Sequence, residues 1–257
     1  LDYLLGEDWE ITPAGGATGR AFFAKHHEQS LFLKRNSSPF LAVLSAEGIV
    51  PKLVWTRRLE NGDVITAQQW KTGRELEPEE MGQERVAKLL KKIHCSEPML
   101  SMLRRLGKAP VTPERMFGNL KTGLDPGVAA MPAVQQAMLF LEKEVGNVHS
   151  AEHVVCHCDI NHNNWLLGED GRLYLIDWDG AMVGDPAIDL GMLLYWYIPD
   201  TDWQEWLSKY GAELTEELKL RMKWYVAAQA IESVQWHKRR SRFEEMNKWS
   251  DFLTGIL

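Results

Sequence analysis

What the chain lacks narrows its chemistry first. Three cysteines in 257 residues, Cys95, Cys156 and Cys158, are too few and odd in number for a disulfide framework. Cys156 and Cys158 flank His157 on what reads as a strand end, but a zinc site needs further ligands at metal spacing. Reduced, packed thiols of a cytoplasmic protein are expected. No apolar run approaches the roughly 20 residues of a membrane-spanning helix, and no signal peptide is visible after Leu1. Basic residues are not in excess: the net charge is −7, so nucleic acid is not an expected partner, because phosphate-backbone binding needs a basic surface. Internal repeats and low-complexity segments are missing too. The remaining composition is that of an ordinary globular chain, 45% apolar and 25% charged with eleven Trp. It is long enough for one large domain or two lobes.

The residues present divide by period. Trp9 to Pro13 and Arg20 to Lys25 read as strands around the loop Ala14-Gly15-Gly16-Ala17-Thr18-Gly19. Ser30 to Arg35 alternates. Leu53 to Leu59 and Val64 to Gln68 flank Asn61-Gly62, a hairpin signal. Pro39 to Ala46 can form a short helix. From about residue 77 the period becomes helical, with Val86, Leu89, Leu90 and Ile93 on one face. A second helix starts at Pro132 and stops at Gly146. Lys108 to Pro126 reads as loop with at most a short helix. After Asp189 helices return: Trp203 to Tyr210 ends at Gly211, and Thr215 caps a long helix ending in Lys238, Arg239 and Arg240. The expected fold is therefore α+β and kinase-like: a small antiparallel-sheet lobe over residues 1–70, and a larger helical lobe over 71–257 that carries the catalytic and acceptor groups.

The stretch His157-Cys158-Asp159-Ile160-Asn161-His162-Asn163-Asn164, then Leu173-Tyr174-Leu175-Ile176-Asp177, carries the chemistry. It reads H-x-D-x-x-x-x-N, followed by an apolar strand ending in Asp. Phosphoryl transfer from ATP needs a carboxylate to orient the hydroxyl nucleophile, and an amide oxygen plus a second carboxylate to hold Mg²⁺. Asp159, Asn164 and Asp177 match those roles in that order. His157 suits a hydrogen bond to the catalytic-loop backbone. Asp189 can cap a helix or brace that loop. Asn161, His162 and Asp185 are acceptor candidates. Gly15, Gly16 and Gly19, with Thr18 between them, let backbone amides approach phosphates. Lys34 suits the α- and β-phosphates, and Phe32 on the same strand face can cover the adenine. Gln69, Trp70 and Gly73 leave the sheet where backbone groups can read the adenine edge. Only eleven residues separate Asp177 from Asp189, too few for a protein-kinase activation segment. Aromatics after Asp189, such as Trp196, Trp203, Trp206, Trp224, Tyr225 and Trp236, are expected mostly in the core, with a few left to line an acceptor site.

On these residues the chain resembles the aminoglycoside phosphotransferase, choline kinase and thiamine kinase superfamily. His157 to Asn164 matches its catalytic signature, and Ile176-Asp177-Trp178-Asp179 to Asp185-Pro186-Ala187-Ile188-Asp189-Leu190 its metal-binding continuation. More narrowly, Thr12 to Gly19, Phe32 to Ala42 and Ile49 to Trp55 resemble the cell-cycle regulator CcrZ family of Gram-positive bacteria. That resemblance implies an ATP- and Mg²⁺-dependent sugar kinase with ribose or 2-deoxyribose as acceptor, and a link to replication or division proteins. Three departures stand out. Cys158 occupies a position where relatives often carry Gly. Asn161-His162 replaces a His-Pro pair. The 39–46 helix offers Lys34 no acid, Glu47 lying just beyond it. The alternatives are a choline- or thiamine-type kinase, and a kinase-fold module that senses a nucleotide or sugar.

Overall fold

The computed structural model describes residues 5, 6, 8–14 and 21–257. The chain forms two compact units. One comprises Leu1–Glu77 with His162–Asp179, the other Pro78–Asn161 with Gly180–Leu257. A single division at residue 70 would miss the return of 162–179 to the first unit.

The first unit is built on β1 (Glu10–Pro13), β2 (Ala21–His26), β3 (Gln29–Arg35), β4 (Leu53–Arg58) and β5 (Val64–Gln69), in the antiparallel order β1-β2-β3-β5-β4. Its alternation decides which way each side chain points. Leu31 and Leu33 of β3 enter a core with Ala24, Ile65 and Ala67, and Phe32 and Lys34 take the opposite face. Fully burying an aliphatic side chain of this kind contributes about 1.5–3 kcal/mol, which pins the register. The β4–β5 turn contains Gly62 at φ 87°, as Asn-Gly requires.

A second sheet in this unit contains the apolar strand read ahead of Asp177 and a strand at 165–168, joined by a third that the sequence did not show. β6 (Gly73–Glu75) pairs antiparallel with β8 (Trp165–Gly168), which pairs with β9 (Leu173–Leu175). Gly73 is needed there: a Cβ would sit 2.3 Å from the Leu167 carbonyl oxygen. Its smallness serves strand pairing first.

The second unit is mainly helical. Glu84–His94 buries Val86, Leu90 and Ile93. Pro113–Gly123 is a full helix where loop with at most a short helix was expected, with Thr112 accepting the Arg115 amide and proline at the helix start. Glu216–Arg239 is capped by the Thr215 side chain, as its sequence indicates, and Gly211 at φ 91° ends Trp203–Tyr210. Trp206, Trp224 and Tyr225 are core, the Trp206 indole N–H donating to Met81 O and that of Trp224 to Leu141 O; Trp196 and Trp236 remain exposed. β7 (Val154–Cys156) and β10 (Met182–Gly184) pair antiparallel and bracket the His157–Asn161 segment in this unit. Among the described residues no helix is long and apolar enough to cross a membrane.

Candidate active site

The first unit contains a cavity of about 920 Å³, within the size range of cofactor pockets. Phe32, Phe40, Leu44, Val50, Leu166 and Ile176 line an apolar part, and Lys34, Asn164, Asp177 and Asp179 a charged part. Gln69, Trp70 and Gly73 also line it. The amide of Gln69 donates to Lys52 O at 2.8 Å and that of Trp70 to Ser30 O at 3.0 Å. Those two N–H groups are therefore committed to the sheet, and an adenine read at this edge would use other main-chain groups. Trp70 packs edge-on against Phe23. Gly15, Gly16, Thr18 and Gly19 lie outside the described residues.

Local structure brings Asn164 and Asp177 together. The amide of Ile176 donates to the Asn164 carbonyl at 2.8 Å, so the strand end before Asp177 is tied to the last residue of the H-x-D-x-x-x-x-N motif. Leu175 is anchored from the other side by Ile49 O at 3.0 Å. Asp177 then takes φ 62°, a left-handed turn that a non-glycine residue adopts at a cost of about 1–2 kcal/mol. Trp178 stabilises that turn, its indole donating to Leu175 O at 2.8 Å and its ring meeting Phe40 edge-on.

Lys34 has its acidic partners here, and they are not on the 40–46 helix. Its Nζ lies 3.0 Å from both carboxylate oxygens of Asp179 and 3.6 Å from Asp177 Oδ1. Asp179 is the residue that the motif reading quoted but gave no role. Its signal was the Asp-Trp-Asp spacing, which puts two carboxylates around one turn. The set suits the chemistry expected of it: hard oxygens for Mg²⁺, an ammonium for phosphate, and apolar walls for a base.

The second unit presents a different assembly around His157. His157 is fully buried and its Nδ1 accepts the Asp159 amide at 3.3 Å. Asp189, also fully buried, accepts the amides of His157 and Cys158 at 2.8 Å each, one per carboxylate oxygen. His94 Nε2 lies 3.2 Å from Asp189 Oδ2, and His94 Nδ1 lies 2.8 Å from the Tyr210 hydroxyl. Of the two options for Asp189, the geometry gives the brace. Sequence reading missed His94 and Tyr210, which lie 95 and 21 positions from Asp189 and share no motif with it. Cys158 sits at φ 68°, a left-handed conformation that glycine would adopt at lower cost. Burial raises the thiols of Cys156 and Cys158 well above the usual range, so neither is poised as a thiolate.

Asp159 is exposed, and Asn161 Nδ2 donates to its Oδ1 at 2.7 Å. Asn161 thus orients the carboxylate. His162 opens the turn that ends at Asn164, in the first unit. Asp185 is buried: its Oδ1 accepts from Arg221 at 2.7 Å and from the Ala187 amide at 2.8 Å. Its Oδ2 has no hydrogen-bond partner among the described residues. That burial gives Asp185 a supporting place more readily than an acceptor contact. Desolvation raises its carboxyl above the ordinary range, with Arg221 opposing.

The model of the phosphotransferase enzyme family, APH, matches residues 10–225. The choline kinase LicA from Streptococcus pneumoniae has a similar fold, with a TM-score of 0.72 at 19% identity over 99% of this chain and 96% of that one. Spectinomycin phosphotransferase in complex with ADP and spectinomycin gives 0.71 at 17% identity, over 96% and 92%. Macrolide 2'-phosphotransferase MphH from Brachybacterium faecium gives 0.65 at 18%, over 98% of each. At such identities these likenesses establish the fold, the protein-kinase-like α+β arrangement of an antiparallel-sheet unit and a helical unit.

Proposed function

The chain belongs to the phosphotransferase enzyme family and is an ATP-dependent phosphotransferase with an alcohol acceptor; on that premise we propose that it is a cytoplasmic, Mg²⁺-dependent kinase of a small polyol, with ribose or 2-deoxyribose as acceptor. The observation that carries the reading is the cavity in which Lys34, Asn164, Asp177 and Asp179 meet an apolar wall. Bound ATP·Mg²⁺ supplies the phosphoryl group to be moved. Asn164 and Asp177 would hold the metal, Lys34 the phosphates, and Phe32 with Val50 and Leu166 the base. Asp159, oriented by Asn161, takes the proton of the attacking hydroxyl or fixes its direction. His157 and Asp189 keep the Asp159 loop in place through its amides. Catalysis then comes mainly from positioning and from charge placed before the reaction.

The pentose assignment rests on the resemblance of the 12–19, 32–42 and 49–55 stretches to the cell-cycle regulator CcrZ family, which also suggests replication or division proteins as partners. Choline kinase among the similar folds favours a choline or thiamine acceptor as the second reading. An ATP-consumption screen against ribose, 2-deoxyribose, choline, thiamine and nucleosides, with mass spectrometry of the product, separates these readings. Phosphorylation of choline or thiamine but of neither pentose would overturn the sugar assignment and leave the kinase standing. No turnover with any acceptor, combined with a growth phenotype unchanged by Asp159→Asn, would favour a sensing module instead.

A further inference from the structure

β5 ends at Gln69, and the ladder sets the direction of the residue before it. Gln68 pairs with Phe32, and Thr66 with Lys34. Residues directly opposite one another in an antiparallel ladder point to the same face. Ala67 pairs with Leu33, and both enter the core on the other side. Gln68 therefore stands beside Phe32 on the face turned to the first unit's cavity, which it lines with Leu44, Val50 and Leu166. It is only 8% exposed, a polar amide set in an apolar wall.

One end of that amide is used. Gln68 Nε2 donates to Pro51 O at 2.9 Å. A flipped amide would set oxygen against oxygen, so this bond fixes which end is which. The segment that carries Pro51 is itself tied down, the Leu175 amide donating to Ile49 O at 3.0 Å. The other end is open. Oε1 takes no hydrogen bond among the described residues. Nor is it one of the sealed, unpaired polar atoms of the interior, so it faces the cavity that Gln68 lines. An acceptor left dry in such a wall is costly, and a donor on a bound ligand removes that cost.

We infer that Gln68 selects the nucleotide base, its Oε1 accepting a hydrogen bond from the exocyclic 6-amino group of adenine. The inference rests on the ATP reading above and adds the residue that tells adenine from other purines. The neighbouring amides of Gln69 and Trp70 are spent on Lys52 O and Ser30 O, so reading at this end of the cavity falls to a side chain. Amide side chains suit adenine, whose amino group is a donor where guanine carries an acceptor oxygen. A 6-oxo purine would set its oxygen against Oε1 and be refused by the same atom that holds adenine. Phe32, Val50 and Leu166 accept any flat base and make no such distinction.

Titration calorimetry of the full chain with Mg²⁺ tests this, using ATP, purine riboside triphosphate, which has no 6-substituent, and inosine triphosphate, which has a 6-oxo group. No acceptor is needed for the measurement. Wild type should bind ATP about tenfold more tightly than purine riboside triphosphate, and inosine triphosphate more weakly still. Gln68→Met, of similar length but without the acceptor oxygen, should lose about tenfold in ATP affinity and leave purine riboside triphosphate unchanged, closing the gap. A residue that only supported the sheet would weaken all three nucleotides alike. Equal binding of ATP and purine riboside triphosphate by wild type overturns the inference even if the variant does not fold, and so does a gap that persists in Gln68→Met; in both cases ATP still binds and the kinase reading stands. Binding of none of the three would remove the ATP reading, and the inference with it.

Discussion

The charged groups of the first unit's cavity and those behind the Asp159 loop are both paired, yet they are buried to opposite degrees. In the cavity, the side chains of Lys34, Asp177 and Asp179 are 24%, 57% and 66% exposed. In the second unit, those of His94 and Asp189 are 1% and 0% exposed. Solvent-exposed ion pairs are worth only about 0–1 kcal/mol, so the cavity charges can exchange partners with an incoming ligand at small cost. A buried carboxylate that satisfies two amides and a ring nitrogen cannot be released cheaply. The first set is arranged to be used, the second to hold a loop still. Substitutions should therefore separate activity from stability according to which set they touch.

The largest activity effect should come from Asp159→Asn. Asp159 is exposed, so the fold should be kept while turnover falls about 10²- to 10⁴-fold. Near wild-type turnover in a folded mutant would remove Asp159 from the chemistry. The largest stability effect should come from Asp189→Ala, which strands the His157 and Cys158 amides and the His94 ring. A loss of about 3 kcal/mol or more is expected, a fall in melting temperature of roughly 6–12 °C for a chain of this size. Thermal melts within 2 °C or so of wild type would contradict the brace.

Asp177→Ala should weaken Mg²⁺ activation by at least about 10- to 100-fold, more than Asn164→Ala does, as measured by titrating turnover with Mg²⁺. Asp179→Ala sharpens the contrast from the other side. Although it removes the closest partner of Lys34, stability should change by less than about 1 kcal/mol, read from denaturant midpoints. A loss as large as that of Asp189→Ala would mean that cavity and loop charges are not so different.

The smallest effect concerns pH. Burial raises the Asp185 carboxyl on folding. A carboxyl raised in this way favours the folded state when protonated; that contribution is complete below the unfolded value, about 4, and is lost as pH rises through the folded value. Wild type should therefore lose stability relative to Asp185→Asn as pH climbs from about 4, by melting at a series of pH values. A gap moving the other way would show that Arg221 outweighs desolvation.

Local signals made much of this legible in sequence. Alternation in Leu31–Lys34, the Asn61-Gly62 turn, the Thr215 cap and the Gly211 stop each depend on a few adjacent residues, and each appears as read. The H-x-D-x-x-x-x-N stretch from His157 to Asn164 was equally local. What was missed depends on distance along the chain. β6 is three residues long and has no pattern of its own; only β8, some 90 positions later, makes it a strand. The partner of Lys34 was sought on the nearest helix, but it comes from Asp179. Pro113–Gly123 was read as loop with at most a short helix because proline and glycine look like breakers, although the proline stands at its first turn and the glycine at its last.

The discontinuity of the first unit also sets an order for biosynthesis. A chain emerging from the ribosome N-terminus first exposes β1 to β6 long before residues 162–179 exist outside the exit tunnel. Until then β6 has no strand to pair with, Ile49 O lacks the Leu175 amide, and Lys34 lacks both of its carboxylates. The nascent five-stranded sheet carries an open apolar pocket through the synthesis of 84 intervening residues, Pro78–Asn161. That interval is when this protein is most exposed to misassembly and to chaperone capture, and a stop after residue 77 would release a fragment unable to complete its own cavity.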